Sequence, residues 1–191
     1  MRWVTVEHQD ILGSWALERI AWASRSDSGR NTWGPFTAIG LIDETQILAA
    51  VIYNDFYEVG CSIHIAAVPG RQWMTRALLK AAFTYPFIQL GYQRLTGYVP
   101  AKNWEARRLD EHLGFKQEGL LRQMLPDDDV ILYGMLRNEC RFIKHGQTIN
   151  TPSARSVSNC GRADIGESAE RSLSRGAESH EHLWANGKPN L

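Results

Sequence analysis

The segment Leu95 to Leu125 constrains the fold most, because it contains a strand, a capped helix, a tight stop and a second strand in 31 consecutive residues. Leu95, Tyr98 and Val99 lie in a β-prone run that Pro100 ends, since proline has no ladder donor. Asn103 is placed as an N-cap, and Glu105 in the first turn suits the positive end of a helix dipole. Ala106, Leu109 and Leu113 follow at helical spacing and predict one apolar face. Gly114 supplies the left-handed residue that stops the helix, with Phe115 placed to pack beyond it. A helix held between two strands by its own caps predicts a layered α/β domain.

The rest of the chain fits that expectation. Arg2 to Val6 alternates as a first strand, and Asp10 is placed to cap a helix from Ile11 to about Ala23. Ser24 to Pro35 reads as a long loop, of the kind that often serves function. Phe36 to Ile42 and Ile47 to Phe56 read as strands joined by a polar turn. Glu58 or Val59 to Val68 is a near-continuous apolar run, interrupted by Ser62 and His64, as a central buried strand would be. Arg71 to Phe83 is helical by pattern, and Pro86 kinks or ends it, with a continuation through Leu90 to a Gly91 cap as the alternative. Pro126 to Asp129 reads as a turn, its aspartates as solvated turn residues and not as metal ligands. Val130 to Leu136 closes the sheet.

Composition sets outer bounds. The 191 residues carry 21 basic and 21 acidic side chains, so no net charge calls for nucleic acid. Hydrophobic content of 43% supports a real core, yet no apolar run is long enough to span a bilayer. The N-terminus has no signal-peptide pattern, and the cysteines at 61, 140 and 160 are odd in number and far apart. Both features predict reduced thiols in a cytoplasm. After Lys144 the sequence becomes rich in Ser, Gly, Asn, Arg and Glu, with isolated large apolars. Residues 1–144 are therefore expected to form the domain, and 145–191 a tail that is disordered unless a partner binds it, with Leu183-Trp184 as an anchor.

Asn103, Ala106, Leu109, Gly114-Phe115 and Glu118-Gly119 resemble the Asn-x-x-Ala/Ser…Leu…Gly-Phe…Glu-Gly signature of the GNAT acyltransferase superfamily. Arg122 and Asp129…Tyr133-Gly134-Met135-Leu136 are similar to its branch that acetylates protein N-termini. The pattern as a whole is also similar to small GNAT-like proteins of tailed phages. The resemblance implies a mixed, mostly antiparallel central sheet flanked by helices. It also implies an acetyl-CoA-dependent N-acetyltransferase, passing an acetyl group to a primary amine, small molecule or protein, by direct attack. The alternative is a GNAT-fold structural or interaction protein, weak or silent in chemistry, such as a virion or assembly component that binds a partner through its tail.

The same resemblance assigns roles. Pantetheine would pair with the strand edge at Ala66, Ala67 and Val68, with the N–H of Ala67 or Val68 as oxyanion donor and Asn103 beside it. The CoA pyrophosphate would sit on Gly70, Arg71, Gln72, Trp73, Met74, Thr75 and Arg76, where strand, turn and helix start converge backbone N–H groups. Trp73, Met74 and Thr75 stand where the family usually has small residues, leaving Arg71 and Arg76 to compensate by charge. From the strand pattern itself, His64 shares a face with Ser62 and Ala66 by the two-residue alternation and is the leading base, with Glu58 and Asp55 as carboxylate rivals. The family's usual Tyr acid is replaced by Asp110, an ionised group at neutral pH unless its pKa is raised. Tyr98 and Tyr133 are the substitutes.

Overall fold

The computed structural model describes residues 1–144 apart from 24, 28, 29, 45 and 71; the side chains of 21, 25–27, 30 and 31 are not described either. Arg71, the tail and its Leu183-Trp184 anchor lie outside the described residues. The strands are β1 (Arg2–Thr5), β2 (Arg25–Asp27), β3 (Arg30–Thr32), β4 (Thr37–Asp43), β5 (Gln46–Tyr57), β6 (Gly60–Ala67), β7 (Arg94–Pro100), β8 (Lys116–Leu125) and β9 (Asp128–Leu136). The helices are α1 (Gln9–Leu17), α2 (Arg76–Thr84) and α3 (Trp104–Leu113). Seven strands form one sheet in the order β1-β4-β5-β6-β7-β9-β8, and every neighbouring pair is antiparallel except β6 and β7. This is a GNAT-like mixed α/β fold.

Two apolar layers cover the sheet. On one face Leu12 and Ala16 of α1 pack with Trp33, Ala38, Ala50, Ile52 and Ala66. On the other, Leu78, Ala82 and Phe83 of α2 and Leu113 of α3 pack on Ile39, Val51, Tyr53, Ile63, Leu95 and Tyr133. Phe83 stacks on Phe142 at 4.8 Å, and the buried Tyr53 hydroxyl donates to the Ala82 carbonyl at 2.7 Å. That hydrogen bond removes the desolvation cost of the hydroxyl and pins α2 to the sheet.

The organising segment folds as its sequence predicts. The Asn103 side chain accepts from the Ala106 N–H at 3.1 Å, and Gly114 ends α3 at φ 108°. Glu118 of the signature reaches back to Arg94, whose Nη1 donates to it at 3.0 Å. The carboxylate lies directly over Gly134, where a Cβ would collide with it. Glu118 and Gly134 are thus halves of one packing device across β7, β9 and β8.

Other boundaries differ from the expectation. Helix α1 begins at Gln9, not after an Asp10 cap, because the Gln9 amide substitutes for a strand partner of Ala38: its Oε1 accepts from Ala38 N–H at 2.6 Å and its Nε2 donates to Ala38 O at 2.9 Å. It ends at Leu17, and a separate 3-10 turn covers Ala21–Ala23. The expected loop Ser24–Pro35 contains the strands β2 and β3, paired antiparallel through Ser26↔Asn31. Helix α2 starts five residues later than expected, where Thr75 Oγ accepts from the Leu78 N–H at 3.2 Å. At Pro86 the expected continuation to Gly91 is found: the helical path widens into a π-turn, Tyr85–Gln89, in which the Leu90 N–H reaches back to the Tyr85 carbonyl, and stops at Gly91 with φ 74°.

Candidate active site

Strands β6 and β7 run parallel but pair only at Gly60↔Arg94, Cys61↔Leu95 and Ser62↔Thr96. Beyond Ser62 and Thr96 they part, and a cleft of about 600 Å³, its open mouth included, occupies the gap. Its walls are Ile63, His64 and Ile65 on β6, and Gly97, Tyr98, Val99 and Pro100 on β7. Ile20 and Trp22 close it from the α1 side, and Asn103, Ala106, Leu109 and Asp110 close it from α3. Because side chains alternate along a strand, the cleft passes through the sheet. His64 faces the α1 layer together with Ala66, whereas Ile63 and Val99 face the α3 layer.

Parting leaves backbone without a strand partner. The Val68 N–H donates to the Leu48 carbonyl at 2.9 Å, so it belongs to β5. By alternation the N–H groups of Ile63, Ile65 and Ala67 point the other way, toward β7; the pair Ser62↔Thr96 takes up that of Ile63, and those of Ile65 and Ala67 lie beyond the last pair. Of the two oxyanion donors expected from sequence, Val68 is therefore excluded by its ladder bond and Ala67 remains geometrically open. Ala66 is buried against α1 and offers its side chain to the core, not to the cleft.

His64 is 7% exposed. Its Nε2 is 3.0 Å from Asn54 Oδ1, and Asn54 Nδ2 donates to the Trp33 carbonyl at 3.4 Å. The Asn54 orientation assigns the proton to His64 Nε2 and leaves the lone pair on Nδ1. Trp33 covers the imidazole with ring centroids 5.2 Å apart. Burial in this apolar setting pulls the His64 pKa down to about 4, with the Asp55 charge opposing it in part. The ring is neutral at pH 7. Tyr98 also lines the cleft.

The carboxylate rivals stand elsewhere. Glu58 is exposed in the turn between β5 and β6, at the end where β6 and β7 are still paired. Asp55 is exposed at φ 47° in the adjoining bulge of β5. Neither lines the cleft, because the hairpin turn and the splay are at opposite ends of β6.

Gly70 is exposed at φ 89° with nothing within 4 Å of where a Cβ would be. Trp73, by contrast, is 6% exposed and turns its ring into the core beside Leu78, and Met74 packs against the same cluster. Gln72 is held from behind: Arg2 Nη1 donates to its carbonyl and Nη2 to its Oε1, each at 3.1 Å. Arg76 is exposed at the first position of α2. The side chains of Trp73, Met74, Gln72 and the capping Thr75 therefore serve the fold, and Gly70 and Arg76 are left facing outward.

Sequence reasoning did not place Ile20, Trp22, Gly97 or Ala106 at the site. Gly97 carried a signal, since a glycine inside a strand often marks a close approach. Ile20 and Trp22 carried none, because their position depends on where α1 stops.

No family model and no curated protein sequence matches the chain. Solved structures do. A variant of the spermidine N-acetyltransferase SpeG from Vibrio cholerae superposes with a TM-score of 0.58 at 16% identity, over 72% of this chain and 94% of that one. The dodecameric spermidine N-acetyltransferase from Vibrio cholerae, in an intermediate state, gives 0.58 at 15% identity over 72% and 94%. At such identity the likeness is one of fold: the chain has the three-dimensional arrangement of these N-acetyltransferases.

Proposed function

We propose that this protein is an acetyl-CoA-dependent N-acetyltransferase that acts on a primary amine by direct attack. The observation that supports this reading is the through-sheet cleft where β6 and β7 part after Ser62 and Thr96. Such a gap offers an extended ligand one unpaired strand edge and gives a second reactant access from the opposite face. The fit is good at three points. The N–H groups of Ile65 and Ala67, beyond the last β6–β7 pair, form the edge that would hold an amide-bearing pantetheine chain. Asn103, whose Oδ1 is committed to the cap, keeps its Nδ2 for a carbonyl at the cleft mouth. Gly70 and the start of α2 at Arg76 would receive phosphate.

When bound, acetyl-CoA would supply an activated acyl carbon. The chain's own residues do the rest. The Ala67 N–H would meet oxyanion charge, which the end of β6–β7 pairing at Ser62↔Thr96 supports by leaving it no partner on β7. His64 is neutral and weakly basic, so it orients the incoming amine as a hydrogen-bond acceptor at Nδ1 and does not store its proton. Tyr98 completes the amine side. The alkaline rise of kcat/KM is then set by loss of the amine's own proton.

Calorimetric titration with acetyl-CoA tests the reading, with Ala106→Phe alongside. Micromolar binding that is lost when a benzyl group fills the α3 wall of the cleft is the expected result. No binding to the folded wild-type protein would sink it. Acceptors are then sorted with spermidine and with dipeptides bearing free N-termini, because the two differ in charge but share a primary amine.

A further inference from the structure

We propose that Trp22 and Ile20 select the acceptor, and that it is a singly charged primary amine with an aromatic or branched apolar group beside the nitrogen. The inference rests on the acyl-transfer reading above. Because the cleft passes through the sheet, it has two mouths, and their chemistry differs. On the α3 side stand Asn103 and Asp110, and Asp110 Oδ2 is 3.5 Å from the place where a Cβ on Gly97 would be. Gly97 thus faces α3. By alternation Tyr98 and Pro100 face the α1 side, as His64 does.

The α1-side mouth is apolar and aromatic. Helix α1 ends at Leu17, and the 3-10 turn Ala21–Ala23 carries Trp22 to the cleft, with Ile20 just before it. Tyr98 and Pro100 form the wall across from them. All four are only partly buried, so each keeps surface for a ligand. Deeper in, the buried Trp33 ring covers the imidazole. Helix α1 packs on β4, β5 and β6, and the same sheet face continues past Tyr98 to its cross-strand partner Leu132, also partly exposed. The apolar wall therefore extends one strand beyond the cleft and leaves room for a side group.

Charge argues in the same direction. The side-chain acceptors on this side are His64 Nδ1 and the Tyr98 hydroxyl, enough for one amine nitrogen. Among the described residues no carboxylate lines this mouth. Glu58 and Asp55 lie at the paired end of β6, Asp10 and Glu18 line a separate groove of α1 beside Trp15, and Asp110 is on the α3 side. His64 registers the apolar setting, since burial holds its pKa at about 4 against the Asp55 charge. A second ammonium entering here would lose its hydration without a counter-charge, whereas a phenyl or branched alkyl group gains from the same loss of water. An aromatic group also gains from the Trp22 ring.

Three amines test this: 2-phenylethylamine, ethanolamine and spermidine, with thiol release from acetyl-CoA as the readout. The first two differ by a phenyl group in place of a hydroxyl. The kcat/KM for 2-phenylethylamine should exceed that for ethanolamine by at least about 30-fold. It should exceed that for spermidine by about tenfold. Trp22→Ala should remove most of the first advantage by raising the KM for 2-phenylethylamine about tenfold, and Trp22→Phe should keep most of it. Trp22→Glu puts a carboxylate at the mouth and should raise kcat/KM for spermidine about tenfold. Spermidine preferred by the wild type, equal use of the three amines, or preferences that no Trp22 variant moves would overturn the assignment while the acyl-transfer reading stands. Acetyl-CoA bound but passed to none of the three overturns it too. Failure of the folded wild type to bind acetyl-CoA removes both.

Discussion

His64 shows how one polar side chain is accommodated in an apolar strand. Its Nε2–H is satisfied by Asn54, Asn54 is satisfied by the Trp33 carbonyl, and the Trp33 Nε1 donates to the Gly13 carbonyl at 3.0 Å. The chain of bonds ties β6 and β5 to α1. Asn54→Ala leaves a buried donor without a partner, and the expected loss is about 1 to 3 kcal/mol in urea unfolding. Asn54→Asp places an anion at hydrogen-bond distance and favours the imidazolium, so the His64 pKa should rise from about 4. Proton NMR of the ring across a pH series reads that shift; an unmoved pKa would mean that Asn54 does not face the ring in solution.

At the scale of the element, α3 and α2 contrast. Helix α3 carries its own boundaries in sequence: Asn103 caps it and Gly114 ends it in a left-handed conformation. Asn103→Ala should remove about 1 kcal/mol, seen as a lower Tm, and should weaken acetyl-CoA binding as well if its Nδ2 serves the ligand. Gly114→Ala forces a Cβ into φ 108° and should destabilise by about 1 kcal/mol with no effect at the cleft. Both boundaries were legible because caps are local chemistry. The start of α2 was not. Thr75 is a good cap, yet Arg71 to Met74 has an equally helical pattern, and the decision came from burial of the Trp73 ring in the core. Likewise Gln9 could not be read as a helix start, since its bonds are to a strand 29 residues away.

Over the whole molecule, two buried groups make opposite demands on pH. His64 has a folded pKa below its ordinary value of 6.5, so the stability it permits is full above about pH 6.5 and is lost as pH falls toward 4. Asp110 has a folded pKa above its ordinary 3.8, so its contribution is full at low pH and is lost as pH rises through about 7. The slopes oppose each other between about pH 4 and 6.5 and flatten the stability curve there. Asp110→Asn removes one of them. Its unfolding free energy relative to wild type, and its Tm with it, should climb as pH rises from about 4 to 8, the free energy by on the order of 2 kcal/mol once water at the cleft mouth is allowed for. A difference in Tm that does not vary with pH would contradict a raised Asp110 pKa.

The sequence by itself determined the order along the chain of the seven strands of the main sheet and the capped helix α3, because periodicity and caps act over a few residues. It also placed His64 on the face it shares with Ser62 and Ala66, since alternation along a strand is fixed by the backbone. Only the tertiary structure decided which of these residues meet. The register of β6 against β7 ends at Ser62↔Thr96, and that ending creates the cleft. It brings His64 and Tyr98 to its walls, leaves Glu58 at the far end of the hairpin, and gives Val68 to β5. The same packing sets Asp110 in an apolar wall, where a side chain that reads as a charged surface group retains a proton. Register and burial are properties of distant segments brought together, so no stretch of sequence states them alone.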